Sequence, residues 1–171
     1  DGLDEVLRRF EREGELPRVK ALYVASYYDN PTGITVPLAR RRALLDVVDR
    51  WAEKQHLYVL EDLAYRDLRY YGDDIPSMRS LDARGNTVVA AGTFSKSFSP
   101  GLRVGWGLLP QPLVGPVLSG KGNIDFGSPN FNQVLLHRVL SSGLFDGHLE
   151  TIRAGYRRKI DTTLAAAEEF L

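Results

Sequence analysis

Five side chains suited to chemistry stand at or just beyond the ends of apolar runs: Asn30, Asp62, Tyr65, Lys96 and Arg103. The lysine lies in GTFSKSFSPGLRVGW, residues 92 to 106, directly after the apolar stretch TVVAAG and seven positions before the arginine. An amine in that place is either a solvated charge or a nucleophile, and the second use requires surroundings that disfavour its ammonium form. Asp62 closes the run LYVLED, with Tyr65 three residues beyond it, and Asn30 opens NPTG after the run VKALYVAS. Singly, each has an ordinary explanation. NPTG is a turn, Asp62 a cap, Tyr65 a packed aromatic, and Lys96 and Arg103 solvated charges. Jointly, Asn30, Asp62, Tyr65 and Lys96 are four polar groups of four different chemistries, each following a buried strand, in an order that one ligand could unify.

The elements that must position them can be read from periodicity. Residues 4 to 13 form a charged amphipathic helix. The runs VKALYVAS, LYVLED and NTVVAAGTFSK have the length and β-rich composition of buried strands, and RVGWGLL is a further strand candidate. From Pro37 to Gln55 a helical stripe runs through Leu38, Leu45, Val48 and Ala52, with Pro37 in the first turn. FNQVLLHRVLSSG is a helix stopped by Gly143, and HLETIRAGYRRKIDTTLAAAEEFL a helix with Ile152, Tyr156, Ile160, Leu164 and Leu171 at helical spacing. Buried strands alternating with amphipathic helices predict an α/β layered domain with a largely parallel sheet, whose ligands gather at the carboxyl ends of the strands.

Composition narrows the function classes. At 171 residues with 43% apolar and 26% charged, the chain reads as one globular unit able to bury a core. Its 22 basic and 22 acidic residues balance, so no basic field points to nucleic acid or to a membrane surface. There is no cysteine, hence no disulfide framework, and the expected compartment is the cytoplasm. His56, His137 and His148 are scattered without metal-ligand spacing, so no metal site is expected. The LARRR stretch at residues 38 to 42 is expected to be a solvated helix face, since acidic residues follow it on the same helix. The abrupt opening DGLDEV and a final helix without a stop signal predict that the chain is cut from something longer.

NPTG, LEDLAY and GTFSKSFSPGLRVG, in that order, resemble the core of the class I/II aminotransferases, the fold type I enzymes that use pyridoxal 5'-phosphate (PLP). The lysine segment and HLETIRAGYRRKID are most similar to the branch holding aminoadipate and kynurenine aminotransferases and the aminotransferase-like domains of MocR-type regulators. The resemblance implies a three-layer α/β/α fold. It makes residues 1–171 a single partial cofactor-binding large domain, lacking an N-terminal segment and the C-terminal small domain. Residue by residue it makes Lys96 the aldimine lysine and general base, Asp62 the partner of the pyridine nitrogen, and Tyr65 and Asn30 hydrogen-bond donors to the phenolic oxygen. It makes Arg103 the phosphate clamp, with Thr93 and Ser95 adding hydroxyl contacts. The implied substrates are an amino acid and a 2-oxo acid, and the implied partner is a second copy, with DFGSPNFNQ near the subunit interface. A PLP-binding effector domain of a MocR-type regulator, and a PLP-dependent decarboxylase or lyase, are the alternatives under the same resemblance.

Overall fold

A computed structural model describes residues 2–170. Its four-stranded sheet has the order β1 (Ala21–Ala25), β2 (Tyr58–Asp62), β3 (Val88–Thr93), β4 (Gly105–Leu108). The first three strands are parallel and β4 closes the edge antiparallel. Crossovers through α2 (Leu38–Trp51) and α3 (Met78–Leu81) connect the parallel strands, as parallel pairing requires. The expected α/β class and the mostly parallel sheet are therefore present. The sheet and one helical layer, α1 (Gly2–Arg12) with α2 and α3, are built by residues 2–93 together with the edge strand β4.

The core lies between that layer and one face of the sheet. Leu7, Val47, Val48, Trp51, Leu57, Val59, Met78 and Val88 pack there, each aliphatic side chain contributing about 1.5–3 kcal/mol by leaving water. α1 carries Asp4 and Glu5 in its first turn and Arg9 and Arg12 in its last, the arrangement its dipole favours. It is tied to α2 by the Trp51 indole N–H donating to Asp4 Oδ1 at 2.8 Å. That bond, reinforced by Arg8, holds the Asp4 carboxyl below its ordinary value.

Several elements depart from the sequence reading. The buried positions of α2 are Arg41, Val47, Val48 and Trp51, whereas Ala52 is exposed and Pro37 is the N-cap with extended ψ. LARRR is thus not wholly a solvated face: Arg41 is fully buried. Charge pattern alone did not show that carbonyls from three separate segments would be waiting for that guanidinium. All residues of β4 are exposed, as an edge strand allows. A helix not anticipated, α5 (Gln111–Asp125), forms despite Gly115, Pro116, Gly120 and Gly122. It is followed by α6 (Asn130–Ser141) and α7 (Leu144–Phe170). Of the periodic apolar positions expected along the last helix, Tyr156 and Leu164 are exposed, and Leu171 lies outside the described residues.

One carboxylate organises the entry to β3. Asp82 accepts backbone N–H bonds from Gly85 at 3.0 Å, Thr87 at 2.9 Å and Val88 at 2.8 Å. Burial pushes its carboxyl up, but those bonds together with Arg79 leave it below the ordinary value. A depressed folded pKa means that this stabilisation is complete above the unfolded carboxylate pKa and is lost as pH falls through the folded one. Asp82→Ala should therefore lower stability by about 1–3 kcal/mol at neutral pH. In denaturant titrations at several pH values, the gap between variant and parent should close on acidification below the carboxylate range.

Candidate functional site

The pleat of β2 separates two adjacent acids. Glu61 points into the helix-covered core with Val59 and is fully buried, while Asp62 points to the opposite face. By register that second face also carries Tyr23 and Ala25 of β1, Leu60, and Val89 and Ala91 of β3. The Tyr23 hydroxyl donates to Asp62 Oδ2 at 2.7 Å, and the Ala64 backbone N–H donates to Oδ1 at 2.9 Å. Asp62 thus reaches the end of its strand already oriented. The bond to Asp62, helped by burial and by the negative charge, raises the Tyr23 phenol above its ordinary value. Tyr23 went unnoticed in the sequence, although its period-two place in VKALYVAS puts it on the face shared with Asp62.

Asn30 rides on the loop that leaves β1. Tyr28 and Gly33 take left-handed backbone in that loop, with φ of 49° and 70°. Gly33 N–H closes the turn onto the Asp29 carbonyl at 2.5 Å. The Asn30 amide donates to the Tyr65 hydroxyl at 3.5 Å, the outer limit of a hydrogen bond. Tyr23, Asp29, Asn30, Asp62 and Tyr65 line one cavity of about 240 Å³.

A second cavity, of about 450 Å³, adjoins it through the same Tyr65 and is lined by Ser95, Lys96, Phe98, His148 and Tyr156. The lysine sits in a single helical turn, α4 (Phe94–Ser97). Thr93 caps that turn, its hydroxyl accepting from Ser95 N–H at 3.1 Å. The Lys96 ammonium stands 5.6 Å from the centre of the Tyr65 ring. Lys96 itself is exposed. β3 and β4 approach closely enough that a side chain on Gly92 would meet the Trp106 indole. Their register pairs Thr93 with Gly105, so Lys96 and Arg103 belong to one connection.

Arg103 holds left-handed backbone at φ 53°, uncommon for a non-glycine residue, and donates to the Pro100 carbonyl at 3.2 Å. Among the described residues, two buried side-chain atoms lack a hydrogen-bond partner, Ser97 Oγ and His148 Nε2. One follows Lys96 directly and the other belongs to a residue of the lysine cavity. The structure therefore brings Asn30, Asp62, Tyr65, Ser95 and Lys96 onto two adjoining cavities. Thr93 and Arg103 flank them without lining either.

The sequence profile of the family "Aminotransferase class I and II" matches residues 1–168. The chain belongs to that family. Among class I and II aminotransferases, it is 37% identical to the 2-aminoadipate transaminase of Thermus thermophilus over 171 residues, 98% of this chain and 40% of that protein. The crystal structure of LysN, the α-aminoadipate aminotransferase of the same organism complexed with N-(5'-phosphopyridoxyl)-L-leucine, superposes with a TM-score of 0.83 at 36% identity. That superposition covers 99% of this chain and 41% of that one. An uncharacterized HTH-type transcriptional regulator of Bacillus subtilis, YisV, is 30% identical over 149 residues, 87% of this chain and 30% of its own length. The chain spans about two fifths of the length of the aminotransferases it matches. The fold shared with LysN is that of the fold type I aminotransferases, of which this chain forms part.

The Tyr23–Asp62 contact can be tested in this family member without any ligand. Asp62→Asn removes the negative acceptor, so the Tyr23 phenol should fall back toward its ordinary value. An ultraviolet difference titration against a Tyr23→Phe control should show one tyrosine ionising at lower pH in the Asp62 variant.

Proposed function

We propose that these residues are the PLP-binding core of an aminotransferase that moves an amino group between an amino acid and a 2-oxo acid. The observation that carries this reading is the meeting of two cavities at Tyr65, one presenting Lys96 and the other Asp62. The donor set fits the cofactor. A carboxylate suits a protonated pyridine nitrogen, an amide and a phenol suit a phenolic oxygen, and hydroxyls with a guanidinium suit a phosphate. Ser97 Oγ, buried beside the lysine, is a polar atom to which the described residues offer no hydrogen bond.

In this reading Asp62 accepts the pyridine N–H, its carboxylate held by Tyr23 and the Ala64 amide. Tyr65 and Asn30 donate to the phenolic oxygen, and Arg103, Thr93 and Ser95 hold the phosphate. When bound, the cofactor supplies an electron sink that makes the α proton of an amino acid removable. Lys96 tethers the cofactor. Its amine, once freed, takes the α proton from one carbon and returns it to another, a proton transfer worth about 10²–10⁴ in rate. Pairing with a second copy belongs to the same reading, supported by apolar side chains on α5, α6 and the turn between them: Ile124, Phe126 and Phe131 are 85%, 97% and 77% exposed.

The match to the regulator YisV favours a second reading, an effector domain that binds the cofactor without turnover. Both readings share the same first test, in which the protein is mixed with PLP, reduced with borohydride and digested for peptide mapping. A pyridoxyl group confined to Lys96, and absent from Lys96→Ala, is the expected result; label spread over other lysines, or retained by that variant, overturns the site. Amino-group transfer from an amino acid to a 2-oxo acid by the whole protein then separates enzyme from regulator.

A further inference from the structure

Directly behind the face that carries Asp62 lies a buried ion pair that none of the roles above employs. Arg41 and Glu61 have fully buried side chains, 3.7 Å apart between Nη1 and Oε1. The guanidinium donates to three carbonyls: Ser26 at 2.7 Å, Val36 at 2.8 Å and Pro76 at 2.9 Å. Ser26 and Val36 are the two feet of the loop that carries Asn30, and they are joined by the Val36 N–H donating to the Ser26 carbonyl at 3.1 Å. Glu61 adjoins Asp62 in the chain. Its carboxylate accepts from Ser26 Oγ at 2.7 Å, Met78 N–H at 2.8 Å and Arg79 N–H at 3.0 Å. The guanidinium also lies over the Tyr27 ring, 4.1 Å from its centre, and the guanidinium of Arg66, the residue after Tyr65, stands 5.3 Å from the same ring.

We propose that the Arg41–Glu61 pair positions the cofactor-tuning groups: it clamps the Asn30 loop to the strand end bearing Asp62 and, through Tyr27 and Arg66, to the turn bearing Tyr65. The proposal rests on the function proposed above for those three residues. Against a well-packed apolar replacement, a buried pair adds little net stability, so stability alone gives it no purpose here. Its contacts do have a geometric consequence. Asn30 meets Tyr65 at 3.5 Å, where a shift of a few tenths of an ångström makes or breaks the bond. The guanidinium donates to these three carbonyls from three separate nitrogens, Nε, Nη1 and Nη2, a spread that the three N–H bonds leaving the single nitrogen of a lysine do not reproduce.

The first arm of the test needs no cofactor and begins with the unsubstituted protein. In hydrogen exchange the Val36 amide should exchange as slowly as the β2 amides; exchange at the rate of the exposed Gly33 turn overturns the clamp. In Arg41→Lys, amides of residues 27–36 should exchange at least about tenfold faster while β2 and β3 stay protected. Glu61→Gln, which spares the three carbonyl bonds, should give a smaller change in the same direction. An unchanged loop in both variants overturns the proposal.

The second arm reads the pH midpoint of the visible absorption of PLP bound to the whole protein. Asn30→Ala should raise it by roughly one unit, because a phenolic oxygen that loses a donor holds its shared proton more tightly. Arg41→Lys should raise it similarly, and the double variant no further, since both remove one contact. Additive shifts, or a midpoint that Arg41→Lys leaves in place, would refute the positioning role. If the unsubstituted protein attaches no PLP at Lys96, the functional reading fails and the positioning role with it, while exchange still decides whether the clamp exists.

Discussion

Two opposite charges enclosed in a core must be surrounded by partners, and this requirement shapes the region around Arg41 and Glu61. Both carboxylate oxygens of Glu61 accept hydrogen bonds, and the guanidinium spends its donors on carbonyls from three segments. The end of β1, the loop after it, α2, β2 and the start of α3 thereby converge on one point. Leaving either charge alone would cost about 3–5 kcal/mol, a large share of the stability of a domain this size. The loop to Val36 consequently has one place to be, even though Asn30 at its tip is exposed. The pair ties an open surface to the buried core.

Strand pleating transmits that rigidity to the opposite face. Glu61 and Asp62 are consecutive, so a strand held through the first presents the second at a defined angle, and Tyr23 completes its orientation from the neighbouring strand. β3 acts differently, ending in a residue that caps the next turn and delivers Lys96 immediately beyond the sheet. α4 is too short to stand by itself and is braced by rings from α7: Phe94 and Phe98 stack edgewise on Phe145, and Phe98 also on His148. The lysine thus stands between a sheet end and a long helix. Motion of α7 relative to the sheet would change the shape of its cavity.

The site is open to solvent. Tyr23 is 61% exposed although it carries a hydrogen bond to the central acid, and Lys96 faces solvent. The residues here provide the polar groups and their spacing.

The sequence by itself determined the α/β alternation, the four strands and the order in which Asn30, Asp62, Tyr65 and Lys96 leave them, because periodicity and turn chemistry are local properties. It also carried the family, since NPTG, LEDLAY and the lysine segment occur together in one order. Only the tertiary structure decided that an arginine within LARRR would be buried and that Tyr23 would hold Asp62. The physical reason is the same in both cases. A charge is buried and a phenol is paired according to partners brought close by folding from tens of residues away, as Pro76 is to Arg41 and Asp62 to Tyr23, and no short window along the chain contains them.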